Sequence, residues 1–264
     1  SKMSWREAWR SARRVFHLGW KKRTSPWSLR AAIPAPVADP SLPAKSEWDS
    51  YWEEKSISGS FLYETIATIY RNLVIRPRLR VALRAQFREG ARLLHAGCGS
   101  GQVDIGLHER YRISAVDLSL SALSLYRRGN RDAGEVRQAS LFKLPYSDAS
   151  FDGAYNLGVI EHFNIEEIDA MLRELARVTV PGGKVVIFWP HHRGSSVVLL
   201  KAVHGLMHSV FKSTTQFHPP EISLVRSRSH ALATLDRAGL TLASYRFGPA
   251  DGFAEVAPEG GFDR

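Results

Sequence analysis

Cysteine is almost absent from the 264-residue chain, and Cys98 is its one copy. A single thiol excludes an internal disulfide framework and a cysteine-based zinc cluster. It agrees with a reducing compartment and an expected cytoplasmic location. Long apolar runs are missing too: none approaches the ~20 residues that a membrane-spanning helix needs. No apolar core of a secretory signal is seen at the N-terminus. Acidic residues are scarce at the start, where residues 1–30 hold nine Lys or Arg against one Glu. That segment therefore carries +8 of the total +10. A nucleic-acid-binding domain wants its positive charge on the folded module, so this distribution disfavours such a partner. Hydrophobic residues make up 44% of the chain, enough to build a sizeable core.

Residues 4–23 are expected to form an amphipathic helix. Trp5, Trp9, Ala12, Phe16 and Trp20 fall on one stripe, with Arg6, Arg10, Arg13, Arg14 and Lys21 off it. Residues 24–46 hold five of the thirteen prolines and read as an extended linker. The expected organisation is a basic helix and linker over 1–46 and one folded domain over 47–264. Within that domain, helices are predicted over 47–55 and 60–88, broken near Pro77. A second basic stretch, Arg71 to Arg92, has seven arginines and one Glu.

From Ala91 short apolar runs alternate with helical segments. Strands are expected at 91–96, 112–117, 135–139, 152–158 and 184–189, and helices at 101–110, 119–128 and 164–178. This alternation predicts a doubly wound α/β domain with a mostly parallel sheet, seven strands in all once 241–247 and 253–257 are added. The core covers 91–190. Segment 191–220 includes an apolar helix, Val197 to Phe211, that suits a lid over an acceptor pocket. The C-terminal part, 221–264, opens on a helix over 221–238 that ends at Gly239.

The run Leu93-Leu94-His95-Ala96-Gly97-Cys98-Gly99-Ser100-Gly101 is expected to leave a strand and enter a helix. Its glycines allow a sharp turn and a close approach to a ligand. Asp117 ends the next strand twenty residues after Gly97, where a carboxylate can accept both hydroxyl hydrogens of a ribose. Position 102 is Gln, so the third glycine of the dinucleotide pattern is missing, which counts against a nicotinamide dehydrogenase.

With LLHAGCGSGQ (93–102), AVDLS (115–119), LPYSDASFDGAYNLGVIEHF (144–163) and LARVTVPGGKVVIF (175–188) in this order, the chain resembles the class I S-adenosylmethionine-dependent methyltransferases that act on small molecules, quinones and lipids. The resemblance covers about residues 91–190 and leaves out 1–46. It implies S-adenosylmethionine as cofactor and S-adenosylhomocysteine as product. It implies that His95, Ala96, Gly97, Cys98, Gly99 and Gly101 line the amino-acid part. Asp117 should then hold the ribose, Leu118, Ser140 and Leu141 should meet the adenine, and Asn156 and Leu157 should face cofactor and acceptor. The Pro-Gly-Gly turn at 181–183 is expected to precede the fifth strand. Two positions depart from the family: an acid is usual where His95 stands, and Asp is common where Ser140 stands.

Methyl transfer to a hydroxyl requires removal of its proton. His162, just past the fourth strand, is the leading candidate base, and His191 after the fifth strand is the second, ahead of His192 and His218. Glu161 beside His162 is a candidate partner for it. No metal is expected. The expected activity is methylation of a small or lipid-like acceptor, at oxygen; residues 4–23 are expected either to rest peripherally on an anionic membrane or, with equal weight, to fold onto the core and cover the cofactor. A catalytically silent, membrane-associated partner with the same fold is the alternative. Oligomeric state is left open.

Overall fold

In the computed structural model, the described residues are 36–38, 48, 49, 52, 61–195, 197–198, 221–247 and 253–258. The helix expected at 4–23, most of the linker and lid segments, and His218 lie outside them. All described residues fall within one compact unit, Ile33–Arg264.

Seven strands form one sheet in the order β3-β2-β1-β4-β5-β7-β6. They are β1 (Arg92–Ala96), β2 (Arg112–Asp117), β3 (Val136–Gln138), β4 (Phe151–Leu157), β5 (Thr179–Pro190), β6 (Leu242–Arg246) and β7 (Phe253–Pro258). The pairs among β1 to β5 are parallel, whereas β7 runs antiparallel to both β5 and β6. The strand order reverses between β1 and β4, and the crevice at such a switch point is where open α/β sheets bind ligands.

The helices cover both faces because the central strands are apolar on both sides. On one face, Leu94 and Ala96 pack with Ile168, Met171, Leu172 and Leu175 of α4 (Ile165–Val178) and with Ala231 and Leu235 of α5 (Arg228–Arg237). On the other, Leu93 meets Leu79, Ala82 and Leu83 of α2 (Arg76–Gln86). Helix α3 (Leu120–Gly129) starts at Ser119, whose hydroxyl accepts the Ala122 N–H at 3.1 Å. A capping box between Asn164 and Glu167 starts α4.

Three sequence expectations are corrected. Residues 101–110 do not form a helix. A short 3-10 turn, Gln102–Asp104, is followed by turns, because Gly106 holds a left-handed φ of 80° that an α-helix does not contain. The helix expected from 221 begins only at Arg228. Upstream, Ile222 and Ser223 donate their N–H groups to the Glu161 carbonyl, Val225 pairs with His191, and the Ser227 hydroxyl caps the helix. Pro-Gly-Gly at 181–183 lies inside β5, where the register against β4 slips between Phe151↔Thr179 and Gly153↔Lys184. The helical stretch over 61–86 is interrupted just before Pro77, as expected, and Pro77 lies in the first turn of α2, where a proline gives up no hydrogen bond. A π-helical stretch, Arg71–Ile75, joins α1 (Phe61–Tyr70) to α2.

Candidate functional site

The carboxyl end of β1 runs into the glycine loop. Gly97 and Cys98 both donate their N–H groups to the Val116 carbonyl, at 2.9 Å each, so the loop is stitched to the end of β2. Gly97, Gly99 and Gly101 all take positive φ. Gly101 stands out: at φ 65°, an added methyl group would overlap the Tyr126 ring. Gly101→Ala is therefore expected to destabilise the domain by about 2–4 kcal/mol, from left-handed strain and overpacking together, measured by urea denaturation. A loss below about 0.5 kcal/mol would contradict this account.

Asp117 closes the loop from the other side. Its Oδ2 accepts the Gly99 N–H at 2.8 Å, and its Oδ1 accepts the Ser119 N–H at 2.9 Å. Burial raises its pKa, opposed by these two N–H donors. Each carboxylate oxygen has a second lone pair, so both can still accept from a diol. At the end of β4, the Asn156 Nδ2 donates to the Ala96 carbonyl at 2.6 Å. Its Oδ1 is buried without a partner. Leu118 and Leu141 are half-buried, and the Ser140 hydroxyl accepts from the Phe142 N–H at 3.3 Å. Leu157 packs, partly buried, beside Tyr155 and Val186.

The upstream residues Trp48, Asp49 and Trp52 also reach this end of the sheet. Asp49 is buried and accepts from the Ser119 hydroxyl at 2.6 Å and the Ser121 N–H at 3.0 Å. Trp52 covers Gly99: a methyl group there would lie 2.8 Å from Cζ2 of the indole. Trp48 packs on His162, with ring centroids 5.5 Å apart. Sequence reasoning missed this roof, and only the aromatic and acidic character of EWDSYW hinted at it.

His95, at the position where the family usually has an acid, is buried and has an acidic partner. Its Nδ1 lies 2.7 Å from Oδ2 of Asp104, a fully buried carboxylate in the turn after Gly101. Tyr126 donates to the same oxygen at 2.6 Å, and Tyr155 donates to Oδ1 at 3.0 Å. Burial opposes the charged form of Asp104. The His95 ring and the three hydrogen bonds outweigh burial and hold the carboxyl below its usual range. The His95 ring also stacks on Tyr155 at 4.3 Å. Cys98 is buried, and burial together with Asp117 and Asp104 pushes its thiol pKa well up, so it is no nucleophile.

The His191 ring stacks on Phe247 at 3.7 Å. Its Nδ1 accepts the Arg193 N–H at 3.1 Å, which leaves Nε2 protonated to donate to the Arg226 carbonyl at 3.0 Å. Neither nitrogen is free to take a proton, so the expected catalytic role of His191 is withdrawn. Burial, with His192 alongside, lowers its pKa. His192 leans on His191, its Nδ1 3.4 Å from the Val225 carbonyl. His162 lies half-buried on a 3-10 turn (Ile160–His162) directly past β4, at the carboxyl end of the sheet. Glu161 beside it is buried with Oε2 unpartnered, and burial, with Glu221 adding, pushes its pKa up to about 8. Among the described residues there is no cluster of His, Cys, Asp or Glu that could hold a metal ion.

Residues 94–187, from inside β1 to inside β5, match the methyltransferase-domain family. The chain carries a class I S-adenosylmethionine-dependent methyltransferase domain. The chain is similar to 24-methylenesterol C-methyltransferase 2 of Oryza sativa subsp. japonica, 32% identical over 48% of this chain and 38% of that protein. It is also similar to a probable tRNA methyltransferase 9B of Bos taurus, 31% identical over 48% of this chain and 28% of that one. The chain thus spans well under half the length of these relatives. In fold it is similar to the magnesium protoporphyrin IX methyltransferase of Synechocystis, solved with bound S-adenosylhomocysteine, at a TM-score of 0.54 and 16% identity, covering 82% of this chain and 95% of that one.

The residues present fit that cofactor at two points. The Asp117 carboxylate is anchored at the end of β2 with capacity left for a diol, and the Asn156 amide oxygen at the end of β4 is buried and unpartnered.

Proposed function

We propose that this chain transfers a methyl group from S-adenosylmethionine to the oxygen of a small or lipid-like acceptor. The observation that supports it most is Asp117. It is held by the N–H groups of Gly99 and Ser119, with each oxygen keeping capacity for a ribose hydroxyl. In this reading Gly97, Gly99 and Gly101 bring bare backbone to the amino-acid end of the cofactor. Leu118, Ser140 and Leu141 receive the adenine, and Asn156 and Leu157 face the transfer region. When bound, the cofactor supplies a methyl group already activated on a sulfonium, so the protein mainly aligns the acceptor. His162 would accept the proton released by the acceptor's hydroxyl during the transfer. The sterol and tRNA relatives show how widely acceptors vary among similar chains. The apolar stretch Val197 to Phe211 favours the hydrophobic end of that range. Residues 4–23, with tryptophans on one stripe and arginines beside it, serve as a peripheral membrane contact.

The alternative reading, a silent partner of the same fold, draws on the missing acid at His95. Asp104 weakens it, because a carboxylate still stands beside the loop.

Titration calorimetry with S-adenosylhomocysteine tests the cofactor site. Asp117→Ala is expected to weaken binding by about 1.5–3 kcal/mol, the range for hydrogen bonds to a charged group, or roughly 10- to 150-fold. Equal affinity in both proteins would show that the ribose does not sit on Asp117. No binding in the parent protein would favour the silent-partner reading.

A further inference from the structure

The helical segment from α1 to α2 presents a row of exposed apolar residues. Ile69, Leu73 and Val81 are 51%, 72% and 59% exposed, and with exposed Pro77 they recur every four residues. Arg84 and Arg88 are exposed just beyond Val81. The opposite side of α2 is sealed, with Leu79, Ala82 and Leu83 fully buried. Flanking arginines fasten this segment to the turn after the glycine loop: Arg76 donates to the Gln102 carbonyl at 2.5 Å and Arg80 to the Ile105 carbonyl at 3.0 Å.

We propose that this row is a second lipid-docking face, which seats the entrance of the domain on an anionic membrane. It goes beyond the contact assigned to residues 4–23 and does not depend on it. Two features favour a lipid surface over a protein partner. The row is one side chain wide and about 18 Å long, at 1.5 Å per helical residue, far smaller than the ~800 Å² per partner of a stable protein interface. Single apolar side chains of this kind suit insertion at the headgroup boundary. The exposed charge beside the row is also positive: Arg84 and Arg88 are exposed, and the neighbouring acid, Glu89, is paired with Arg110 at 2.9 Å. Such a rim complements phosphate headgroups. Because Arg76 and Arg80 reach the loop's own turn, docking brings the cofactor site close to the membrane plane, where a hydrophobic acceptor is concentrated.

The test is co-sedimentation of the full chain with vesicles of phosphatidylglycerol and phosphatidylcholine, and with phosphatidylcholine alone. The parent protein is expected to partition onto the anionic vesicles only. Leu73→Ser with Val81→Ser is expected to lower that partition tenfold or more, and Arg84→Gln with Arg88→Gln by a similar factor. Unchanged partition of the serine pair overturns the proposal and leaves membrane binding to the N-terminal segment. Equal partition onto neutral vesicles, or none onto either, overturns it as well. A concentration-dependent dimer that the serine pair abolishes in sedimentation velocity makes a second copy the occupant and also overturns it. S-adenosylhomocysteine affinity in each variant separates these outcomes: its loss in the parent counts against the methyltransferase activity and leaves the docking result standing.

Discussion

Asp104→Ala is expected to destabilise the domain by about 3–5 kcal/mol, because it leaves three buried hydrogen-bonding groups without their acceptor at ~1–3 kcal/mol each. The carboxylate is fully buried and receives His95, Tyr126 and Tyr155 at 2.7, 2.6 and 3.0 Å. Alanine leaves an imidazole and two phenols without their acceptor, in a space too dry to replace it cheaply. Urea denaturation followed by circular dichroism measures the effect. A loss under about 1 kcal/mol would mean that the network contributes little. His95→Leu combined with Asp104→Leu is expected to cost less than the two single changes added together, because the pair then leaves no lone buried partner between them. Since the folded pKa of Asp104 is depressed, its contribution is present above the unfolded carboxyl value and is lost as pH falls through the folded one.

The second large effect belongs to Glu161, and its pH dependence has the opposite sign. Its pKa is about 8 in the fold against an ordinary 4.5. The native state therefore keeps its proton over a range in which the unfolded chain has released it. Stability from this residue is complete below the ordinary value and falls as pH rises toward the folded one. Glu161→Gln removes the ionisation. The variant is expected to gain on the parent protein by several kcal/mol between pH 5 and 9, at about 1.4 kcal/mol per pH unit. Denaturation curves at pH 5, 7 and 9 test this, and a difference that does not change with pH would sink it.

Much of the fold was legible because the central strands are short apolar runs with turn residues at both ends. β2 runs from Arg112 to Asp117 as expected, and β1, β3 and β4 lie within a residue of their expected limits. The glycine loop and Asp117 were legible for a similar reason, since both belong to one strand-turn-strand frame with fixed spacing. What stayed hidden depends on contacts between distant residues. The partners that fix His191 come partly from Arg226 and Phe247, thirty-five and fifty-six residues later, and no local pattern announces them. Asp104 was hidden by the helix expected over 101–110, which would have made it an ordinary first-turn acid. One clue was available: a histidine inside an otherwise apolar strand needs a buried partner, and an acid stood nine residues away. The roof from Trp48 to Trp52 lies upstream of every family motif and reaches the site only through the tertiary fold.

Val37, in the proline-rich stretch that reads as a linker, has a role of its own. Its N–H donates to the Val136 carbonyl at 3.0 Å, and its carbonyl accepts the Gln138 N–H at 2.8 Å, so it runs alongside β3, the outermost strand on that side. An uncovered outer strand offers its backbone to any other strand that drifts past, including one from another copy. Val37 occupies part of that rim. Trimming the chain to the motif-bearing domain from residue 47 would remove it and leave the Val136 carbonyl and the Gln138 N–H as open sticking points, a reason for such a shortened chain to clump while its ligand pocket remained whole.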